Sequence, residues 1–301
     1  MKIIRAEHLG MCFGVRDAIT LALKQTETAP LTILGDLVHN EKVLSDLRAR
    51  GIAIEQQIAE VQTQTVMITA HGTSEVALKR IRERGLNVLE ATCPLVHVAH
   101  RAVAELVGQG FHPVIIGKRD HVEVRGMTDD LAVFDVVLTE EDVLQLEARP
   151  RFGIAAQTTQ PIDRVRHLVA LIRQRFPESE VRFLDTVCRP TKQRQSAAVE
   201  LARQCDVVVV IGGANSNNTR ELVATCGKHC AQVHHVQAPE HLRPQWFVGA
   251  QTTGLTAGTS TPDCLIDQVE QGIRKLTANR HEEPLREGFA FQNNPTHGGK
   301  S

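Results

Sequence analysis

Two hydrophobic rhythms alternate along this chain. Short apolar runs at 31–34, 66–70, 114–116, 152–156 and 207–211 have the length and β-branched content of buried strands. Between them, apolar residues recur at helical spacing, as at Val15, Ala18, Ile19, Ala22 and Leu23, or Val165, Leu168, Val169 and Ile172. The punctuation agrees. Asn40 and Ser74 stand where helix N-caps belong, Pro94, Pro161 and Pro262 open helices, and Gly51, Gly85 and Gly110 end them. Further strands are expected at 2–7, 88–91, 181–184, 233–236 and 254–256, with a peripheral one at 131–138, and further helices at 191–204 and 219–226. Strands alternating with helices predict an α/β fold with mainly parallel sheets, and place the polar loops at the carboxyl ends of strands, where such sheets bind ligands.

The pattern repeats three times, over 7–40, 90–123 and 185–218. In each copy a short strand leads into a cysteine (Cys12, Cys93, Cys188), and an amphipathic segment and a second apolar run follow. Each then reaches a polar cluster: Val38-His39-Asn40, His121-Val122-Glu123, and Asn215-Ser216-Asn217-Asn218. Cysteine to cluster is 27, 28 and 27 positions. A third signal closes each copy: Ala70-His71-Gly72-Thr73-Ser74, Gln157-Thr158-Thr159 and Gly258-Thr259-Ser260-Thr261. This period is too long for a solenoid and suits three small domains, expected at 1–90, 91–183 and 184–278, with a polar tail at 279–301.

Composition narrows the partners. The 301 residues carry a formal charge of −1, nine Phe, one Trp and no Tyr, which favours neither nucleic acid nor a stacking platform for bases. No apolar run approaches a membrane span, and the first residues lack a signal peptide's apolar region. Seven cysteines without an export signal read as reduced thiols in a cytoplasm.

Three cysteines at equivalent repeat positions can meet at one point and ligate a metal or cluster. Zinc with three sulfurs needs a fourth protein ligand to close a structural site. A 4Fe–4S cluster usually takes four cysteines, so three leave one iron for a substrate. The histidines, hydroxyls and amides of the polar loops, near helix starts, suit an anion such as a phosphate. Glu123, beside a metal centre, is the best proton carrier in the chain.

These motifs in this order resemble the 4-hydroxy-3-methylbut-2-enyl diphosphate reductase family, the last enzymes of the non-mevalonate isoprenoid pathway. The resemblance runs to about residue 275. It is carried by residues 6–15 around Cys12, by Val38-His39-Asn40, Ala70-His71-Gly72, Ala91-Thr92-Cys93-Pro94, His121-Val122-Glu123-Val124, Gln157-Thr158-Thr159, Asp185-Thr186-Val187-Cys188, Asn215-Ser216 and residues 257–263. It implies a pseudo-threefold trefoil of three α/β domains around a 4Fe–4S cluster held by Cys12, Cys93 and Cys188. It also implies reductive loss of the substrate hydroxyl as water, giving isopentenyl and dimethylallyl diphosphates. By position, the resemblance implies Glu123 as the proton donor, with Thr158 and His121 hydrogen-bonded near the hydroxyl. It further implies that His39, His71, Ser216, Asn217, Asn218 and Ser260 would hold the diphosphate and that electrons would come from a ferredoxin or flavodoxin. The sequence departs from the family pattern at Met11, Val122, Asn217 and Arg189-Pro190.

Two other readings compete. A cluster-binding redox or iron sensor could share the fold, though Glu123 and Thr158 are intact. Cys226, His229 and Cys230, with His234 and His235 nearby, have a zinc-like look, against which helical packing of Cys226 and Cys230 is favoured.

Overall fold

A computed structural model describes residues 1–278; the tail expected at 279–301 lies outside the described residues. The first part of the chain runs β1 (Lys2–Arg5), α1 (Phe13–Thr26), β2 (Leu31–Leu34), α2 (Glu41–Ala49), β3 (Ala53–Glu55), β4 (Thr65–Ile68), α3 (Glu75–Glu83) and β5 (Asn87–Glu90). Then come α4 (Pro94–Gly108), β6 (His112–Ile116), α5 (Val122–Thr128), β7 (Asp135–Val137), α6 (Glu140–Gln145), β8 (Arg151–Ala156), α7 (Ile162–Arg175) and β9 (Glu180–Phe183). The last part is α8 (Arg189–Gln204), β10 (Val207–Ile211), α9 (Asn217–Gly227), β11 (Val233–Val236), β12 (Thr252–Ala257) and α10 (Asp263–Ala278).

The strands form three four-stranded sheets, ordered β3-β2-β4-β5, β7-β6-β8-β9 and β11-β10-β12-β1, and every pairing is parallel. The orders correspond strand for strand. In each, the strand that leads into a cysteine pairs with the last inner strand of the preceding unit: β5 with β4, β9 with β8, and β1 with β12. The ring therefore closes on itself. The chain's first strand completes the sheet of the third unit, with Lys2 opposite Thr252 and Arg5 opposite Leu255.

Each sheet is covered on both faces, as parallel sheets require. On β10 the alternation is complete: Val207, Val209 and Ile211 enter one apolar cluster, and Val208 and Val210 enter the other. Burying each such side chain is worth about 1.5–3 kcal/mol.

The strand expected at 131–138 is shorter, because only Asp135–Val137 pairs at the sheet edge. Leu131 and Phe134 pack on the apolar cluster behind β6, while Val133 is exposed, which breaks the strand alternation. Three elements carried too little apolar signal to be expected. β3 is a half-buried edge strand, α5 spans seven residues, and α6 is an acidic turn started by a Thr139–Asp142 capping box.

Candidate active site

Cys12, Cys93 and Cys188 occupy the same structural position. Each is the extended N-cap of a long helix (α1, α4, α8), and none uses its side chain to cap. Each backbone N–H donates at 3.0 Å to the segment that closes a repeat: Cys12 to Thr259 O, Cys93 to Ala70 O, and Cys188 to Thr158 O. The three sulfurs stand at helix N-termini whose dipoles favour negative charge; Cys188 Sγ lies 3.0 Å from Thr191 Oγ1, and the charge of Cys12 reaches both Cys93 and Cys188.

Other contacts bring the three loops together. A Cβ placed on Gly14, in the first turn of α1, would lie 2.6 Å from Cys93 Sγ, so only glycine lets that sulfur approach. Arg194 of α8 reaches across to Gly10 O, two residues before Cys12, at 2.7 and 3.1 Å. Burial raises Cys93 and pushes Cys188 up to about 11; Glu123 and Cys12 add to both through their charges, and Thr191 partly offsets the rise at Cys188.

The donor set tests what such a centre could hold. A tetrahedral ion at about 2.3 Å from its sulfurs needs them roughly 3.8 Å apart. Among the described residues, the one set of three His, Cys, Asp or Glu ligand atoms lying within 4.8 Å of one another is His39, His71 and His121. The sulfurs do not close on a single ion. Three thiols around a common centre, without a fourth such ligand drawn in, fit a larger body such as an iron–sulfur cluster.

The three histidines come from three segments. His39 precedes the α2 N-cap, His71 follows β4, and His121 is itself the N-cap of α5. The rings of His39 and His71 stack at 4.7 Å, and His121 meets them edge-on at 5.3 and 5.6 Å. Their spacing would admit a metal, but His121 argues against one. Its Nδ1 accepts the Glu123 N–H at 3.2 Å, so in the neutral ring the proton sits on Nε2, which becomes a donor. His71 follows suit: Thr69 Oγ1 accepts the His71 N–H and has its own proton left for His71 Nδ1, each at 3.4 Å.

Burial holds all three rings neutral. It pushes His121 down to about 3, helped by His39, Lys118, Arg220 and Arg125. His71 lies well below the usual imidazole range through burial and then its two neighbours. His39 is lowered by burial, with Asp36 pulling the other way. The pocket thus presents N–H donors rather than imidazolium charge.

In the same pocket, His39 Nε2, Asn218 Nδ2 and Ser260 Oγ are buried without hydrogen-bond partners. Asn218 Oδ1 accepts from Thr259 N–H at 3.1 Å, which turns its amide donors away from the backbone. Ser216 Oγ caps α9 by accepting from Thr219 N–H, so its proton is free to donate. Asn217 differs: its Nδ2 reaches Thr159 O and Oγ1 at 3.5 and 3.4 Å, tying two units together. These groups and the histidines line a cavity of about 40 Å³, bordered by a larger one of about 440 Å³ that shares His39 and His121. Orphaned donors beside a cavity lined by Lys118, Arg125 and Arg220 suit an anion rich in oxygen acceptors.

Glu123 is buried, and Thr158 N–H donates to its Oε1 at 2.6 Å. Burial pushes its carboxyl up to about 7, against the Thr158 hydrogen bonds that favour the charged form. Its charge reaches both Cys93 and Cys188, and its backbone N–H donates to His121 Nδ1 of the polar pocket.

All twelve residues singled out in the sequence come together here. Three contributions were not anticipated. Thr159 lines the pocket and holds Asn217. Asn40, expected only as an N-cap, also donates to Ser260 O at 2.9 Å while capping Lys42 N–H. Arg194 bridges two cysteine loops, and an arginine inside a polar helix gave no signal of it. The zinc-like group near the end of α9 does not assemble. Cys226 is buried in helical packing, Cys230 lies beyond the helix with its thiol on Cys205 O, His234 stacks on Trp246 at 4.0 Å, and His235 bonds Gly212 O.

Three parallel α/β units closed in a ring, with a cysteine at the start of one long helix in each repeat and a pocket lined by buried polar groups, define a three-unit α/β protein. The profile of the LytB protein family matches residues 3–274, and the chain belongs to that family. It is 35% identical over 278 residues to the 4-hydroxy-3-methylbut-2-enyl diphosphate reductase of Geobacter metallireducens, covering 92% of this chain and 98% of the relative. It is 36% identical over 283 residues to that of Aquifex aeolicus, covering 92% and 97%. Among solved structures, one of the (E)-4-hydroxy-3-methyl-but-2-enyl diphosphate reductase, described as the terminal enzyme of the non-mevalonate pathway, superposes with a TM-score of 0.67 at 35% identity, covering 91% of this chain and all of that one. The Plasmodium falciparum reductase structure, 24% identical with a TM-score of 0.84 over 92% of this chain and 88% of that one, supports the fold alone.

Proposed function

We propose that this chain is a reductase that removes the hydroxyl group of 4-hydroxy-3-methylbut-2-enyl diphosphate, giving isopentenyl and dimethylallyl diphosphates. Two electrons and two protons enter, the carbon–oxygen bond breaks, a carbon–hydrogen bond forms, and water leaves. Cys12, Cys93 and Cys188 would hold a 4Fe–4S cluster. When bound, that cluster supplies one-electron chemistry and a Lewis-acidic iron not taken by cysteine.

The chain's own residues do the rest. His39, His71, Ser216, Asn218 and Ser260 donate hydrogen bonds to the diphosphate oxygens, and the Nε2–H of His121 points into the same pocket. Neutral donors hold the anion, with Lys118, Arg125 and Arg220 lining the adjoining cavity. Glu123, protonated up to about pH 7, carries a proton at neutral pH, and the Thr158 N–H fixes its orientation. The cavity of about 40 Å³ opens beside the larger one of about 440 Å³ through His39 and His121, and together they offer the space for the diphosphate.

One observation supports this reading: a buried acid held protonated near neutrality acts by charge on Cys93 and Cys188 and adjoins His121 of a pocket whose buried polar groups lack partners. A ferredoxin or flavodoxin would deliver the electrons, in a cytoplasm; no helix among the described residues is long and apolar enough to cross a membrane. The test is anaerobic conversion of the allylic diphosphate with a dithionite-reduced dye. Both products are expected. Iron-loaded protein that leaves the substrate untouched would favour the sensor reading.

A further inference from the structure

Among the described residues, only two side chains of the charged types Asp, Glu, Lys and Arg are buried: Glu123 and Arg194. Arg194 is 7% exposed, and none of its guanidinium nitrogens meets a carboxylate at ion-pair distance. All its partners are carbonyl oxygens. Nε and Nη2 donate to Gly10 O at 3.1 and 2.7 Å, and Nη1 donates to Pro190 O at 3.0 Å. Gly10 lies two residues before Cys12, and Pro190 two residues after Cys188. One guanidinium therefore ties the loop of one cysteine to the helix start of another.

A buried guanidinium without a counter-charge is costly, and neutral carbonyls offset only part of that cost. Burial opposes its charge; the groups that favour it are the thiols of Cys12 and Cys188, while Arg16 works against it. The negative charge this arginine is placed to meet is that of the sulfurs and whatever they hold.

We propose that Arg194 is a positioning residue of the cysteine centre, clamping the Cys12 loop to the Cys188 helix and supplying the fixed positive charge that raises the centre's reduction potential. The inference rests on the cluster reading above. Each electron accepted adds one negative charge to the centre and breaks no bond. A cation held nearby in a poorly screened interior stabilises the reduced form more than the oxidised one. Its fixed hydrogen bonds keep that charge in place.

Parent protein, Arg194→Gln and Arg194→Lys are reconstituted anaerobically, iron and sulfide are counted per chain, and midpoint potentials are read by EPR during titration with dithionite. The parent is counted first: a parent that binds no iron–sulfur cluster sinks the underlying reading and not this residue alone. With the parent loaded, Arg194→Gln should titrate at a lower potential, and Arg194→Lys close to the parent. An unchanged potential in a fully loaded Arg194→Gln protein overturns the electrostatic role. Should Arg194→Gln fail to assemble, Arg194→Lys decides. Assembly at the parental potential supports the proposal; a fall in potential, or a failure to assemble, assigns Arg194 to carbonyl bridging alone and overturns it.

Discussion

Burial holds the Glu123 carboxyl protonated to about pH 7, and this one shift has consequences for both rate and stability. If Glu123 carries the proton as proposed, it is protonated for the step below about pH 7 and deprotonated above it, so turnover is expected to fall as pH rises through that value. Glu123→Gln keeps the shape without the proton, and turnover should drop roughly 10²–10⁴-fold with iron content unchanged; parental turnover in that variant removes the assignment. An acid with a higher pKa in the folded state favours folding most at low pH. That contribution is lost as pH rises from about 4.5 to about 7 and is constant above. The shift corresponds to about 3 kcal/mol, so thermal melts of Glu123→Gln should gain on the parent across that window. Parallel melts would contradict a buried, protonated Glu123. Gly14 is a second sensitive position, because a methyl group there would lie 2.6 Å from Cys93 Sγ. Gly14→Ala should reduce iron loading while leaving the circular dichroism spectrum intact. Most of these residues were legible in the sequence because they sit where a polar side chain must start a helix. Arg194 was not, since its burial depends on a loop 184 positions away.

At the scale of elements, the cap positions hold the site. Asn40 starts α2 and donates to Ser260 O across two units. Asn40→Ala loses a cap worth about 1 kcal/mol. It also leaves a buried carbonyl unpaired, which costs about 1–3 kcal/mol more. The melting temperature should fall by several degrees, and KM should rise more than kcat falls, because the variant loosens Ser260 without touching Glu123; a change confined to kcat would contradict this. The long helices and inner strands were readable because their apolar periods are strong and their caps conventional. α5 was not, although it carries Glu123. Its Val122-Glu123-Val124 start alternates like a strand, and its helix is made by His121 capping its own first turn.

For the molecule as a whole, the decisive feature is a pairing between the chain's first strand and its last. The repeat in the sequence foretold three α/β units. It did not foretell that each cysteine-leading strand completes the sheet of the preceding unit, because parallel partners such as Lys2 and Thr252 are 250 positions apart and no local signal joins them. Deleting residues 1–6 should expose the edge of β12 and free the Cys12 loop, giving aggregation-prone protein with little bound iron; a truncated chain that loads iron as the parent does would contradict ring closure. The central claim, that three cysteines from three units hold one cluster with an iron left over, is tested most directly by Mössbauer spectroscopy of anaerobically prepared, ⁵⁷Fe-enriched protein. The account predicts four irons per chain in a 3:1 pattern, with the single iron's signal shifting when the allylic diphosphate is added. Stoichiometric zinc with no iron, or four equivalent irons indifferent to the diphosphate, would contradict it.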